Sequence, residues 1–170
     1  MENDPSTSFN LWLLRLEGDR KLQPLLQTPF KEYMPAISPN GRWLAYVSDE
    51  SGQDEVYVSP LPEPGEKWQV STAGGIEPAW ARNGRELFYR DRLARKMMVV
   101  DITLQPSFTA SKPRALFQDS YAPHINVRNY DVSADGQRFL MLQPSEQPAT
   151  QVNVVLNWFE DLKRRVPVRP

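Results

Sequence analysis

The chain has no cysteine, which excludes disulfide bridges and thiolate metal sites. It has a single histidine, His124, and no Gly-x-Ser-x-Gly elbow. A nucleophile, a base and an orienting group in mutual reach are therefore not expected, and the chain is read as a non-enzyme. No phosphate-cradling Gly-x-x-x-x-Gly-Lys loop occurs either, and no cofactor is expected. No apolar run approaches the ~20 residues needed to span a bilayer. The first residues, Met1-Glu2-Asn3-Asp4-Pro5, lack the basic start and apolar stretch of a signal peptide, so any targeting segment would lie outside this sequence. Neither sign of charge is in excess: 20 basic and 21 acidic residues are well mixed, with a net charge of −1. Duplex binders usually carry a basic face, so nucleic acid is not the expected partner. These absences leave the compartment open between the cytoplasm and an envelope compartment such as a periplasm.

What is abundant points to β-structure. Sixteen prolines in 170 residues are roughly twice the ~5% average usage, which favours many loops and few long helices. Met34 to Ser48, Met-Pro-Ala-Ile-Ser-Pro-Asn-Gly-Arg-Trp-Leu-Ala-Tyr-Val-Ser, reads as a β-hairpin, and it recurs. Pro78 to Asp91 matches Pro35 to Ser48 without a gap, with seven of fourteen positions identical. A weaker third copy runs from Tyr130 to Leu142. The turn glycines are Gly41, Gly84 and Gly136, giving periods of 43 and 52 residues. Strand-like units at such a period are a propeller signature. Ser38 opens the first turn, Pro39 presets φ, Asn40 tolerates the next position, and Gly41 supplies the positive φ of a type I turn with a following bulge. The strands after the turns (Trp43 to Val47, Leu87 to Tyr89, Phe139 to Leu142) are nearly continuous apolar runs, as expected for sheets covered on both faces.

The expected fold class is all-β: a partial β-propeller of about three blade-equivalents, each complete blade having four antiparallel strands. Residues 1–8 are polar and expected to be disordered. Blades occupy 9–160: a half blade at 9–28, whole blades at 34–72 and 77–118, and an incomplete blade at 129–157, whose third strand is expected at Gln151 to Asn157. Residues 158–170 form a C-terminal tail, with a short helix expected from Trp158 to Arg165.

Ser-Pro-Asn-Gly-Arg-Trp-Leu-Ala-Tyr-Val-Ser-Asp (38–49) resembles the repeat of TolB-like, WD40-like β-propellers, which typically write Ser-Pro-Asp-Gly before an apolar strand. Asp49-Glu50-Ser51-Gly52, Gly74-Gly75-Ile76-Glu77-Pro78, Asn83 to Tyr89, and Val155-Leu156-Asn157-Trp158 resemble C-terminal propeller regions of bacterial multidomain proteins. Those regions often follow a serine/threonine kinase or a DNA-binding regulator domain. The resemblance runs from Phe9 to about Arg165 and departs at Ala81-Arg82, where the usual Ser and Pro are missing. It implies a binding or scaffold module for a protein, peptide or small ligand. The alternative is the propeller portion of a larger kinase or propeller-type peptidase, which a kinase encoded in frame upstream of Met1 would favour.

Rigid scaffolds concentrate recognition residues on their loops. The inter-blade loops, Thr28–Tyr33, Thr72–Glu77 and Asp119–Asn129, carry the candidate ligand contacts Glu32, Tyr33, Glu77, His124, Asn126 and Arg128. His124 also reads as an ordinary surface histidine. Charge removal at Glu77 or Arg128 is expected to weaken binding without lowering the melting temperature. Tyr33, Trp43, Tyr46, Trp80 and Tyr89 read as core. The carboxylates Asp49, Glu50, Asp54 and Glu55 lack the spacing of a calcium loop and read as a solvated hairpin tip, so no metal site is expected. About three blades cannot close a ring, which takes typically 4–8. Open apolar faces mark association surfaces, and two completions are expected as alternatives: a homodimer closing a six-bladed ring, or missing blades that lie upstream in a longer parent.

Overall fold

A computed structural model describes residues 9–104, 107–118 and 127–143. All its regular elements are β-strands. The expected third strand of the last blade, the C-terminal helix, His124 and Asn126 lie outside the described residues.

The chain enters through β1 (Leu11–Leu14) and β2 (Leu22–Leu26), an antiparallel pair. The first whole blade is β3 (Glu32–Ile37), β4 (Trp43–Ser48), β5 (Glu55–Pro60) and β6 (Trp68–Gln69), hydrogen-bonded in chain order. The second is β7 (Ile76–Trp80), β8 (Glu86–Asp91) and β9 (Lys96–Thr103). Its outer edge differs from the expected single fourth strand. The long β9 is paired in two places, by β10 (Thr109–Ala110) along its second half and by β11 (Arg114–Gln118) along its first. Pro113, without a backbone N–H, lies between these two short strands. Finally, β12 (Tyr130–Val132) pairs with β13 (Phe139–Met141).

The three hairpins form as their residues dictate. Gly41, Gly84 and Gly136 have φ of 71°, 70° and 71°. Each donates its N–H to the carbonyl three residues back, on Ser38, Ala81 and Ser133, at 2.8–2.9 Å. The Asn40 Oδ1 accepts from the Arg42 N–H at 3.0 Å, and Asn83 and Asp135 repeat this at 2.8 and 3.0 Å. In the first and third hairpins a serine hydroxyl also accepts from the N–H of Trp43, which opens β4, or of Arg138, just before β13. Ala81 has no hydroxyl to do so.

The inner strands hold a feature that the repeat did not announce. Register slips between Tyr33 and Ala36 in β3, and between Ile76 and Ala79 in β7. These are β-bulges at equivalent positions, and each contains an X-Pro pair: Met34-Pro35 and Glu77-Pro78. Met34 and Glu77 have φ of 50° and 58°, left-handed values that a non-glycine residue adopts only when its surroundings hold it there. A bulge explains the shared proline, because the residue taken out of the ladder need not donate.

Blades pack face to face through three apolar layers. Leu11, Leu44, Tyr46 and Tyr57 join the first pair to the first blade. Val47, Val56, Val58, Leu87, Tyr89 and Val100 join the two whole blades. Ala79, Phe88, Met97, Val99 and Tyr130 join the second blade to β12–β13. Trp43, Trp68 and Phe108 cluster with ring centroids 4.7–5.7 Å apart, each pair contributing ~0.5–1.5 kcal/mol beyond its buried area. Gly75 sits where the chain crosses between blades. A Cβ there would lie 2.4 Å from the Ser71 hydroxyl and 2.6 Å from its Cβ.

Gly41→Ala tests the hairpin chemistry in isolation, since an added Cβ there meets no other atom within 4 Å. Forcing alanine into a left-handed conformation is expected to cost about 1–2 kcal/mol. Urea unfolding should show a lower midpoint at unchanged slope.

Candidate functional site

The inner strands β3, β7 and β12 stand side by side because equivalent residues reach from one to the next. Met34, Glu77 and Asn129 each stand seven residues before a hairpin glycine. The Glu77 N–H donates to the Met34 Sδ at 3.3 Å. The Glu77 carboxylate accepts from the Asn129 N–H at 2.9 Å and from the Arg90 guanidinium at 3.2 Å. The Tyr130 hydroxyl donates to the Glu77 carbonyl at 2.6 Å. One step along, the Trp80 indole N–H donates to the Ala36 carbonyl at 3.0 Å. Glu77 and Arg90 are both buried, so the interior holds a paired charge satisfied by further hydrogen bonds.

At the hairpin end of these strands lies an open groove of about 360 Å³. Its walls are the last residues of the three inner strands (Ile37, Trp80 and Val132) and the hairpin residues Pro39, Arg82 and Ala134. Arg128 also lines it. Arg82 is exposed and pairs with no carboxylate among the described residues. Arg128 stands 3.7 Å from Asp131 and lies over the Tyr130 ring at 5.9 Å.

The expected contact residues separate into different environments. Glu77 is wholly inside, so the expectation that its charge can be removed without loss of stability is corrected: it is the partner of a buried guanidinium. Glu32 is also buried. One carboxylate oxygen accepts from the Thr28 hydroxyl, while Oε2 has no hydrogen-bond partner among the described residues. Burial pushes the Glu32 carboxyl up from its ordinary value. Tyr33 is half-buried beside Phe9, with ring centroids 6.2 Å apart, and burial likewise raises its phenol. Of the four among the described residues, Arg128 lines the groove. Ile37, Trp80 and Arg82 were not among the expected contacts; the signal available for them was their place at the end of an inner strand and in the following hairpin. The reading of Glu55 as part of a solvated hairpin tip also changes: it is buried, accepting from the Gln53 amide, the Ser71 hydroxyl and the Gly74 N–H. Among the described residues, no group of three or more metal-ligating side chains is placed to hold an ion. Nor is any helix among them long and apolar enough to cross a membrane.

Comparison with solved structures identifies the architecture. TolB from Acinetobacter baumannii superposes on 85% of this chain with a TM-score of 0.56 at 14% identity. The fold is that of a TolB-like β-propeller. This chain spans 45% of the length of that TolB chain, so the propeller described is a partial one. A putative TolB from Agrobacterium tumefaciens matches 73% of this chain and 48% of its own, at 17% identity and a TM-score of 0.49. No family model and no curated protein matches the sequence.

Two measurements on the propeller separate inside from outside. Glu77→Ala leaves Arg90 buried without its carboxylate and is expected to cost about 3–5 kcal/mol, whereas Arg128→Ala breaks an exposed pair worth about 0–1 kcal/mol. Chemical denaturation of both variants reads the contrast directly. Glu32 gives a pH signature of opposite sign to an ordinary carboxylate. Its carboxyl is raised in the folded state, so the native protein holds the proton more tightly and stability falls as pH rises from the ordinary glutamate range through the raised value. Glu32→Gln should flatten that fall, matching the parent protein in acid and exceeding it at neutral pH. Denaturation curves at pH 4 and pH 7 that show Gln uniformly less stable would contradict this account.

Proposed function

We propose that this chain is a non-catalytic propeller module that recognises protein or peptide partners, and that two copies of it close one ring. The observation that carries the reading is the complementarity of its two end sheets among the described residues. β1–β2 precedes an inner strand and stands where the outer half of a blade would; β12–β13 repeats the inner half, with the hairpin glycine Gly136 in place. Each pair presents apolar side chains to water: Trp12 is 45% exposed, Leu22 59% and Leu140 75%. Such faces mark association surfaces, and strands with an open edge pair readily with another chain.

Joining β12–β13 of one copy to β1–β2 of a second makes a hybrid blade of four strands, or of five where the strand expected at Gln151 to Asn157 adds to it. The C2 arrangement makes that junction twice, using each open sheet once. Two copies together also span about the length of the matched TolB chain. Candidate partner contacts on the assembled ring include Tyr33 and Arg128 at the inner strands, with His124 and Asn126 from the sequence that precedes β12. Glu32 and Glu77 contribute from inside by holding those strands in position.

Size-exclusion chromatography with light scattering tests the assembly. The expected species has twice the 19.6 kDa chain mass. Leu140→Glu or Trp12→Glu should shift it to monomer, since a charge would enter the buried junction. A monodisperse monomer at all concentrations would overturn the closed-dimer reading.

A further inference from the structure

The groove at the hairpin end of the inner strands has a chemistry of its own. Two guanidinium groups reach it from different blades, Arg82 from the hairpin after β7 and Arg128 from the segment before β12. Arg82 has no carboxylate partner among the described residues, and Arg128 shares only an exposed pair at 3.7 Å with Asp131. Two side chains add apolar surface to the same lining. Ile37 is 58% exposed although it ends a strand, and Trp80 is held in place by its bond to the Ala36 carbonyl. That bond uses the only hydrogen-bond donor of the indole, so the ring offers the groove an apolar surface. Guanidinium forks match carboxylates in a bidentate geometry, which gives an open groove specificity for that group.

We propose that this groove binds an acidic peptide segment, with a carboxylate between Arg82 and Arg128 and a neighbouring apolar side chain against Ile37 and Trp80. The proposal rests on the reading of the chain as a protein-binding module and names the partner chemistry of one surface. A volume of about 360 Å³ suits a few side chains of an extended segment. Polyanionic nucleic acid fits less well, because the chain as a whole carries a net charge of −1. Most of the groove is built by the strand ends and hairpins, and Arg128 is contributed by the segment between the second blade and β12.

Fluorescence polarisation on the full chain tests it, with a fluorescein-labelled peptide of alternating glutamate and leucine as probe. The lysine–leucine counterpart and an oligothymidylate serve as competitors. The expected result is saturable binding that weakens with salt, about tenfold weaker binding in Arg82→Ala and in Arg128→Ala, and no competition by either competitor. Ile37→Asp, which adds a carboxylate on the groove wall, should also abolish binding while leaving the unfolding midpoint near that of the parent. No binding of the acidic probe, equal binding by parent and variants, or stronger binding of oligothymidylate would each overturn the proposal. Light scattering on the same samples separates the two readings: a dimer that ignores the probe refutes the groove alone, and a monomer refutes the assembly alone.

Discussion

The Glu77 carboxylate is the constraint on which the inner wall depends. It is fully buried and meets Arg90 from its own blade and the Asn129 N–H from the next. Its backbone is engaged as well, with the N–H on Met34 and the carbonyl on the Tyr130 hydroxyl. A single residue thus ties three consecutive inner strands together. A buried ion pair is not a net source of stability in itself, because two charges lose their water. Its effect here is specificity of arrangement. The carboxylate is satisfied only if the next inner strand arrives with its N–H in place, so blade spacing and strand height are set together.

The bulge at Glu77 is what allows this. A regular strand would send successive side chains to alternate faces. The left-handed φ of 58° breaks that alternation and turns the residue into the gap between blades. Met34 makes the same turn one blade earlier, with φ of 50°, but it offers a thioether where Glu77 offers a carboxylate. The repeat conserves the backbone device within this chain while varying the side chain that uses it. Pro35 and Pro78 suit both positions because neither has an N–H to leave unpaired.

The inner wall in turn shapes the groove. Trp80 reaches across to the Ala36 carbonyl, closing the space between β3 and β7 and leaving Ile37 facing water beside it. Two kinds of surface therefore sit on one scaffold. The end sheets are apolar and lack a covering blade among the described residues. The groove is mixed, with arginines rimming apolar walls. A propeller can assign these to separate tasks, since its rigid stacked sheets keep them apart.

The sequence by itself determined the hairpins, the period and the class of fold. Ser-Pro-Asn-Gly and its copies act through local backbone chemistry, and apolar runs such as Trp43 to Val47 already imply sheets covered on both faces. The surface expected to bind was legible only in part. Arg128 could be named, but Glu32 and Glu77 were indistinguishable from exposed loop carboxylates, because a charged residue at the start of a strand carries no mark of burial in its neighbours. Only the tertiary structure decided that Glu77 faces Arg90, thirteen residues away, and Asn129, fifty-two away. Only it brought Arg82 and Arg128 to one groove. Hairpins follow from neighbours in sequence, whereas burial and convergence follow from which blade lies against which.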